Sequence, residues 1–288
     1  ALDAADDYSI NKGSRKRLLK AVDRKLAWID ANRLPVYAPA PWDRLPVIMH
    51  PLESGTDFSP SFDEAWEAPP LLPLKAVTLL KRIKKSRWAL AGGGMPGFPL
   101  VYDLTYITFY LMARMKRRPA EHESCALIKE FYHASFDKKA LLFRQYRLKG
   151  ANVFRTETVT LSSMIPCLLF PKGEFQKHCR EAVERHCLPG KTFWRGDLPS
   201  FNPESRSQKS PLLWRGSCSW MNMNYLVMKL LLAHGFMREA GLLFQCLWEY
   251  LDACGPREYY DAFTKRGGGA EVFSWNGLML AMEKELEG

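Results

Sequence analysis

No stretch of about 18 consecutive apolar residues occurs in the sequence, and the densest apolar runs, such as Tyr225 to Leu232, are cut by charge within a few positions. The pattern therefore offers no membrane-spanning helix. The opening Ala-Leu-Asp-Ala-Ala-Asp-Asp is acidic and lacks a basic segment followed by an apolar one, so no signal peptide is expected and a cytoplasmic location is favoured. Cysteine is present without a scaffold pattern: Cys125, Cys167, Cys179, Cys187, Cys218, Cys246 and Cys254 are odd in number and dispersed, as reduced, mostly buried thiols are. No Ser-His-Asp or Cys-His arrangement stands out, and runs that alternate apolar and polar residues are missing, so strands should be few.

Two motif-like signals carry little. Gly92 to Gly97 matches GxGxxG literally, yet Pro96 sits inside it and no apolar strand precedes it. His178-Cys179 and His186-Cys187 lie eight residues apart on one helix face, a spacing better explained by packing than by zinc ligation. No metal and no cofactor are expected.

What the chain does have is apolar content, at 47% hydrophobic and 12% aromatic residues, enough for one large domain with a substantial core. Its net charge of +10 invites a nucleic-acid or acidic-partner reading. That reading requires the basic runs Arg15 to Arg17, Lys81 to Lys85 and Arg114 to Arg118 to converge on one face. Two of the runs end helix-like segments, where cations solvate the last turn and complement the helix dipole, so neither a nucleic-acid nor a membrane partner is expected.

Leu18, Leu19, Val22, Leu26 and Ile29 recur at helical spacing, and proline-rich sequence from Pro35 to Pro51 stops that helix. Pro69-Pro70 opens another apolar-periodic segment, and helix-like segments follow at 101–117, 121–136, 157–170, 173–188, 218–235, 238–253 and 271–286. About nine helices in sequential pairs, joined by loops rich in Gly, Pro and aromatics, predict an all-α fold of bundle or toroid type whose rim loops carry a site.

Three loop motifs concentrate chemistry. Glu53-Ser54-Gly55-Thr56-Asp57-Phe58-Ser59-Pro60 lies in the first irregular stretch, and Glu258-Tyr259-Tyr260-Asp261 follows the helix that ends before Gly255-Pro256. Asp57 and Glu258, 201 residues apart, meet only in a folded chain. Taken singly, Asp57 reads as a turn or cap residue and Glu258 as a surface partner of Arg257 or Lys265. Between them, Trp214-Arg215-Gly216 and Trp220 to Tyr225 combine rings that stack on sugars with Arg and Asn groups that address hydroxyls.

In that order the motifs resemble those of glycoside hydrolase family 63 and the trehalases. The first looks like ESGxD(N/F)SPR, the second YWRGPxWxNxNY, and the third, with glycines 267–269 and Phe273-Ser274-Trp275, the closing E(Y/F)YD…G…FSW segment. The resemblance implies an (α/α)6 toroid, with residues 1–288 forming the C-terminal part of its catalytic barrel as a single domain. It implies an inverting α-glycosidase acting on mannosylglycerate, glucosylglycerate or an α-glucosyl disaccharide, with Asp57 as general acid and Glu258 as general base. Inversion then requires the two carboxyls to stand about 6.5–9.5 Å apart, with a water between them. Glu53, Phe58, Trp214, Arg215, Gly216, Trp220, Asn222, Tyr259, Glu271 and Trp275 take the positions of substrate-binding residues, Glu271 by likeness to the trehalase glycine run.

Several positions depart from the pattern. Ser61 stands where the family usually has Arg, Ser217-Cys218-Ser219 replaces a Pro-x pair, and Ala262 replaces a proline. Only about fifty residues precede Asp57, so the first helices of the toroid have no counterpart and the barrel is expected to be incomplete on its N-terminal side. A fragment, a degenerate relative and one part of an assembly completed by the missing portion all fit this pattern. A trehalase-like hydrolase and an inactive sugar-binding relative remain the alternatives to a family 63 enzyme. Oligomeric state is not legible.

Overall fold

The protein is described here from a computed structural model covering residues 12–48, 100–117, 122–202 and 216–287. Helix α1, Lys12–Asn32, buries Leu26 and Ile29 and half-buries Leu18, Leu19 and Val22, the stripe read from the sequence. The chain turns away at Pro35, as the restriction on a residue preceding proline leads one to expect. After a short 3-10 turn at Trp42–Arg44 comes strand β1, Leu100–Tyr102, and then α2, Leu104–Arg117. Asp103 caps α2 by accepting the Tyr106 N–H at 2.8 Å. Two carboxylates of α1 hold α2: Asp30 accepts the Tyr110 hydroxyl at 2.7 Å, and Asp23 takes both Nε and Nη2 of Arg117 at 2.7 Å.

Helix α3, His122–Ser135, leads into a tight hairpin of β2, Phe136–Asp137, and β3, Leu142–Phe143. Strands β4, Tyr146–Lys149, and β5, Asn152–Arg155, form a second hairpin whose β4 pairs with β1 to complete a three-stranded sheet. Gly150 adopts φ 59 at the first position of its two-residue turn, where such hairpins favour glycine. The helix expected at 157–170 is instead two 3-10 turns, Leu161–Ser163 and Ile165–Leu169. Pro166 has no N–H to donate and sits in the first turn of the second piece, and Ser162-Ser163 favours turns over helix, so a continuous α-helix is interrupted there.

Helix α4, Gln176–His186, is followed by strand β6, Cys218–Ser219, and by α5, Met221–Ala233. Eight of the thirteen α5 residues are buried, the pattern of a helix enclosed on all sides. Helix α6, Met237–Cys254, ends at Gly255, whose φ of 70 suits the residue past a helix end, and Pro256 prevents continuation. Strands β7, Arg257–Asp261, and β8, Arg266–Glu271, pair with β6 in the order β6-β7-β8. A 3-10 turn at Ser274–Gly277 then starts α7, Leu278–Glu287. The segment read as a helix over 271–286 thus begins as the end of a strand, because the glycine run pairs with β7 before the helix can start.

The helices form two layers. α2, the Ile165–Leu169 turn, α5 and α7 contact one another in succession as an inner row, while α1 and α3 pack on α2, α4 on the turn, and α6 on α5 and α7. Among the described residues inner and outer elements alternate, the arrangement of an α/α toroid. Among the described residues, a small sheet or hairpin precedes each inner element. The starts of α2 and of the Leu161–Ser163 turn are adjacent, since Thr105 Oγ1 donates to Ser162 Oγ at 3.0 Å.

Of the three basic runs, two meet: Lys12, Arg15, Lys16 and Lys20 of α1 line one cleft with Arg117 of α2. The run 81–85 lies outside the described residues. Among the described residues no helix is long and apolar enough to cross a membrane, and no group of three His, Cys, Asp or Glu side chains is placed to hold a metal.

Candidate active site

Of the residues singled out from the sequence, Glu53, Asp57, Phe58, Trp214 and Arg215 lie outside the described residues. Gly216, Trp220, Asn222, Glu258, Tyr259, Glu271 and Trp275 are described, and the β6-β7-β8 sheet with the starts of α5 and α7 gathers them.

The sheet is built to receive the β7 side chains on β8. Glu258 bends across its neighbour so that Oε2 accepts the Ala270 N–H at 2.9 Å. A Cβ placed on Gly269 would stand 2.4 Å from that Oε2, on Gly268 2.6 Å from the Tyr259 ring, and on Gly267 2.4 Å from Arg257 Cγ. Gly269 also holds φ +71, a conformation that costs other residues energy. Glycines 267–269 therefore act as a trough for three consecutive side chains of the opposite strand.

The ion pairs that would have made Glu258 an ordinary surface carboxylate go elsewhere. Arg257 Nη1 meets Glu271 Oε1 at 2.7 Å, and Lys265 faces Glu249 at 3.3 Å and Asp197 at 3.5 Å. Among the described residues, Glu258 has no cation within ion-pair distance. Glu271 faces solvent, with its side chain 75% exposed, and its contact is with Arg257 across the strands.

Aromatic rings close one side. Trp220, at the start of α5, has its ring centroid 5.2 Å from Tyr259 and 5.9 Å from Trp275, and Trp275 stands 5.0 Å from Phe273 in edge-to-face contact. Such spacings are those of favourable aromatic pairs. Burial raises the Tyr259 hydroxyl above its ordinary range, with Cys218 and Glu258 adding to the shift. Burial likewise pushes the Cys218 thiol up to about 12, helped by Asp261, so it stays a neutral thiol. Asn222 is half-buried in the first turn of α5 and accepts the Met223 N–H through Oδ1 at 2.8 Å. Gly216 takes φ 64 and bridges to Asn202 just before β6.

Several supporting residues escaped the sequence reading. Asn276 donates to the carbonyls of Arg257 at 2.8 Å and Phe273 at 2.9 Å, fixing the strand that carries Glu258 to the turn that carries Trp275. The Tyr260 hydroxyl lies 2.8 Å from Asn276 Oδ1 and 2.9 Å from the Gly255 carbonyl, and it receives the Arg257 N–H at 3.2 Å. Asp261 is structural: Oδ1 takes the N–H groups of Phe263 and Thr264, and Oδ2 accepts the Ser217 hydroxyl at 3.0 Å. The Ser217-Cys218-Ser219 departure thus has a defined place, as the edge strand tied to Asp261 and Tyr260. Gly196 is required by close approach, since a Cβ there would lie 2.2 Å from the Ala262 carbonyl oxygen. Asn276 directly follows the Phe-Ser-Trp motif, and that adjacency was the available signal.

Comparison with known proteins fits this arrangement. Residues 2–276 match the model of the mannosylglycerate hydrolase MGH1-like glycoside hydrolase domain. A mannosylglycerate hydrolase of Thermus thermophilus is 35% identical over 82 residues, a match that spans 28% of this chain and 20% of that enzyme. The solved structure of a glycoside hydrolase family 63 mannosylglycerate hydrolase, also from Thermus thermophilus and in complex with glucose, superposes with a TM-score of 0.74 at 22% identity, covering 99% of this chain and 73% of that one. Neutral trehalase Nth1 from Saccharomyces cerevisiae gives 0.51 at 13% identity, covering 96% of this chain and 59% of that one. The toroidal all-α architecture expected from the sequence is borne out by these likenesses.

Proposed function

Because the chain belongs to the family of mannosylglycerate hydrolase MGH1-like glycoside hydrolase domains, we propose that it hydrolyses an α-glycosidic bond of a small sugar with inversion. The substrate class is mannosylglycerate, glucosylglycerate or an α-glucosyl disaccharide, and residues 1–288 form the C-terminal part of the catalytic barrel as a single domain. Glu258 serves as general base, taking a proton from the water that attacks the anomeric carbon. Asp57 serves as general acid, donating its proton to the leaving oxygen on the opposite face. Atoms balance: the glycosidic C–O bond breaks, the new C–O bond comes from water, Glu258 gains the proton that water loses, and Asp57 gives up the proton that the leaving group gains.

The observation that carries this reading is the setting of Glu258. One carboxylate oxygen is fixed by the Ala270 N–H, with no cation within ion-pair distance among the described residues, on the strand whose next residue, Tyr259, packs against Trp220, itself in contact with Trp275. A base must be ionised and positioned to accept a proton, and a neighbouring guanidinium would lower its basicity. The partly exposed Tyr259 and Trp275 rings would offer apolar faces to a pyranose, with buried Trp220 packed against them, and Asn222, Arg215, Glu53 and Phe58 would address the remaining contacts.

The test is hydrolysis of mannosylglycerate, glucosylglycerate, trehalose and kojibiose by the protein, with the first-formed anomer followed by NMR. Initial release of the β-anomer supports the reading, and trehalose as sole substrate moves the protein to the trehalase side. Sugar binding without release of monosaccharide from any of them would overturn it in favour of an inactive binding relative.

A further inference from the structure

The β2–β3 hairpin carries a concentration of positive charge that the glycosidase reading does not use. A cleft of about 560 Å³ is lined by Asp137, Lys139, Ala140, Arg144, Arg155 and Arg185. None of these residues belongs to the β6-β7-β8 sheet. The volume suits a small ligand and not a polymer.

Four cations face one carboxylate, and that carboxylate is already committed. Asp137 Oδ1 accepts the N–H groups of Lys139 and Ala140 at 3.1 and 3.0 Å, while Oδ2 takes Arg144 Nε and Nη2 at 3.0 Å and lies 3.5 Å from Arg155 Nη1. Despite the cost of burial, these donors hold its carboxyl below the usual carboxylate range, so it stays ionised as part of the frame. Arg155 has one further partner, Glu157, at 3.4 Å. Lys139 and Arg185 have no carboxylate within ion-pair distance among the described residues, and the Arg185 contact is a 3.4 Å bond from Nη1 to the Lys139 carbonyl. Four positive charges against two negative ones leave a surplus of about two at one concave place, where like charges repel.

The frame is preorganised. Leu141 N–H closes the turn onto the Asp137 carbonyl at 2.7 Å, and His186 of α4 bonds the Ala140 carbonyl through Nε2 at 2.8 Å, fixing Arg185 beside the hairpin. Burial keeps His186 neutral by lowering its proton affinity, so its Nε2–H donates and its Nδ1 accepts from Thr192. Arg144, only 13% exposed, cannot swing out into solvent as a surface arginine does.

We propose that this cleft binds a phosphate dianion, carried by a small phosphorylated metabolite or by free phosphate. A phosphomonoester carries about −1.5 to −2 charges near neutral pH and three acceptor oxygens, matching the surplus charge and the forked guanidinium donors. A single carboxylate would neutralise half of the surplus. The proposal stands independently of the glycosidase activity.

Calorimetric titration of the whole chain with inorganic phosphate and with glycerol 3-phosphate, against sodium chloride of matched ionic strength, tests it. Saturable binding is expected, weakened at least about tenfold in the Lys139→Gln/Arg185→Gln variant, whose altered side chains are exposed and pair with no carboxylate among the described residues. Tighter binding of glycerol 3-phosphate assigns the cleft to a phosphomonoester, and equal or tighter binding of inorganic phosphate assigns it to the free ion. Absence of saturable binding for both probes, or equal binding by the variant with an unchanged circular dichroism spectrum, overturns the proposal.

Discussion

Glu258 Oε2 occupies the space that a side chain on Gly269 would need, so the carboxylate and the glycine across the sheet define one position between them. The relationship is steric as well as electrostatic. The bare backbone of Gly269 lets Glu258 fold over β8, and the next N–H, that of Ala270, fixes its orientation. In the proposed mechanism a carboxylate held in this way would leave its second oxygen to a water, which is what a general base in glycoside hydrolysis requires.

Replacing Gly269 by Ala should therefore damage the site more than the fold. The new methyl meets Glu258, and φ +71 strains an L-residue, at a combined cost of about 1–3 kcal/mol of stability. Displacement of a base by about 1 Å costs on the order of 10²-fold in rate. The expected outcome is a kcat fall of about that size with a folded protein by circular dichroism. Wild-type turnover in a folded Gly269→Ala protein would show that the position of Glu258 does not matter.

Glu258→Gln tests the chemistry and leaves the geometry in place. The amide oxygen can still accept the Ala270 N–H, so the thermal midpoint should stay close to wild type, while loss of the base should lower kcat by about 10²–10⁴-fold. Retained kcat with a raised KM would make Glu258 a binding residue instead of the base.

Trp275 tests the proposed sugar-binding wall apart from the proposed base. Its ring contacts Trp220 and Phe273, and its backbone belongs to the turn that Asn276 ties to β7. Trp275→Ala should raise KM more than it lowers kcat, because it removes a stacking face without touching the carboxylate. Trp275→Phe should recover part of the loss. An effect on kcat alone, with KM unchanged, would remove Trp275 from the sugar-binding wall.

The long helices were legible because their apolar positions repeat at helical spacing: α1 through Leu26 and Ile29, and α2 through Ile107, Tyr110 and Leu111. The hairpins were not. Strand β8 reads Arg-Gly-Gly-Gly-Ala-Glu, with no β-branched residue and no alternation, and it is a strand because the side chains of Arg257, Glu258 and Tyr259 need a bare backbone opposite them. The order of the three loop motifs pointed to Glu258 and its aromatic neighbours. Its hydrogen bond, the diversion of Arg257 to Glu271, and the clasp of Asn276 depend on strand register, which no spacing in the sequence encodes.

Asp103 offers a pH-dependent test of the fold near the start of an inner helix. Burial pushes its carboxyl up to about 6, against the opposing pull of the Tyr106 and Thr105 N–H groups. Between about pH 4 and pH 6 the folded state then holds more of this proton than the unfolded state does, so the contribution of Asp103 to stability falls as pH rises through that window. Asn is as good a helix cap as Asp and carries no charge to bury, so Asp103→Asn should keep α2 intact and remove the pH-dependent loss. Urea denaturation at a series of pH values should show the variant gaining about 1–3 kcal/mol relative to wild type on going from pH 4 to pH 7. Parallel stability curves, or a difference that grows toward acid, would mean that the Asp103 carboxyl is ionised in the folded protein throughout that range and that its helix-capping bonds outweigh burial.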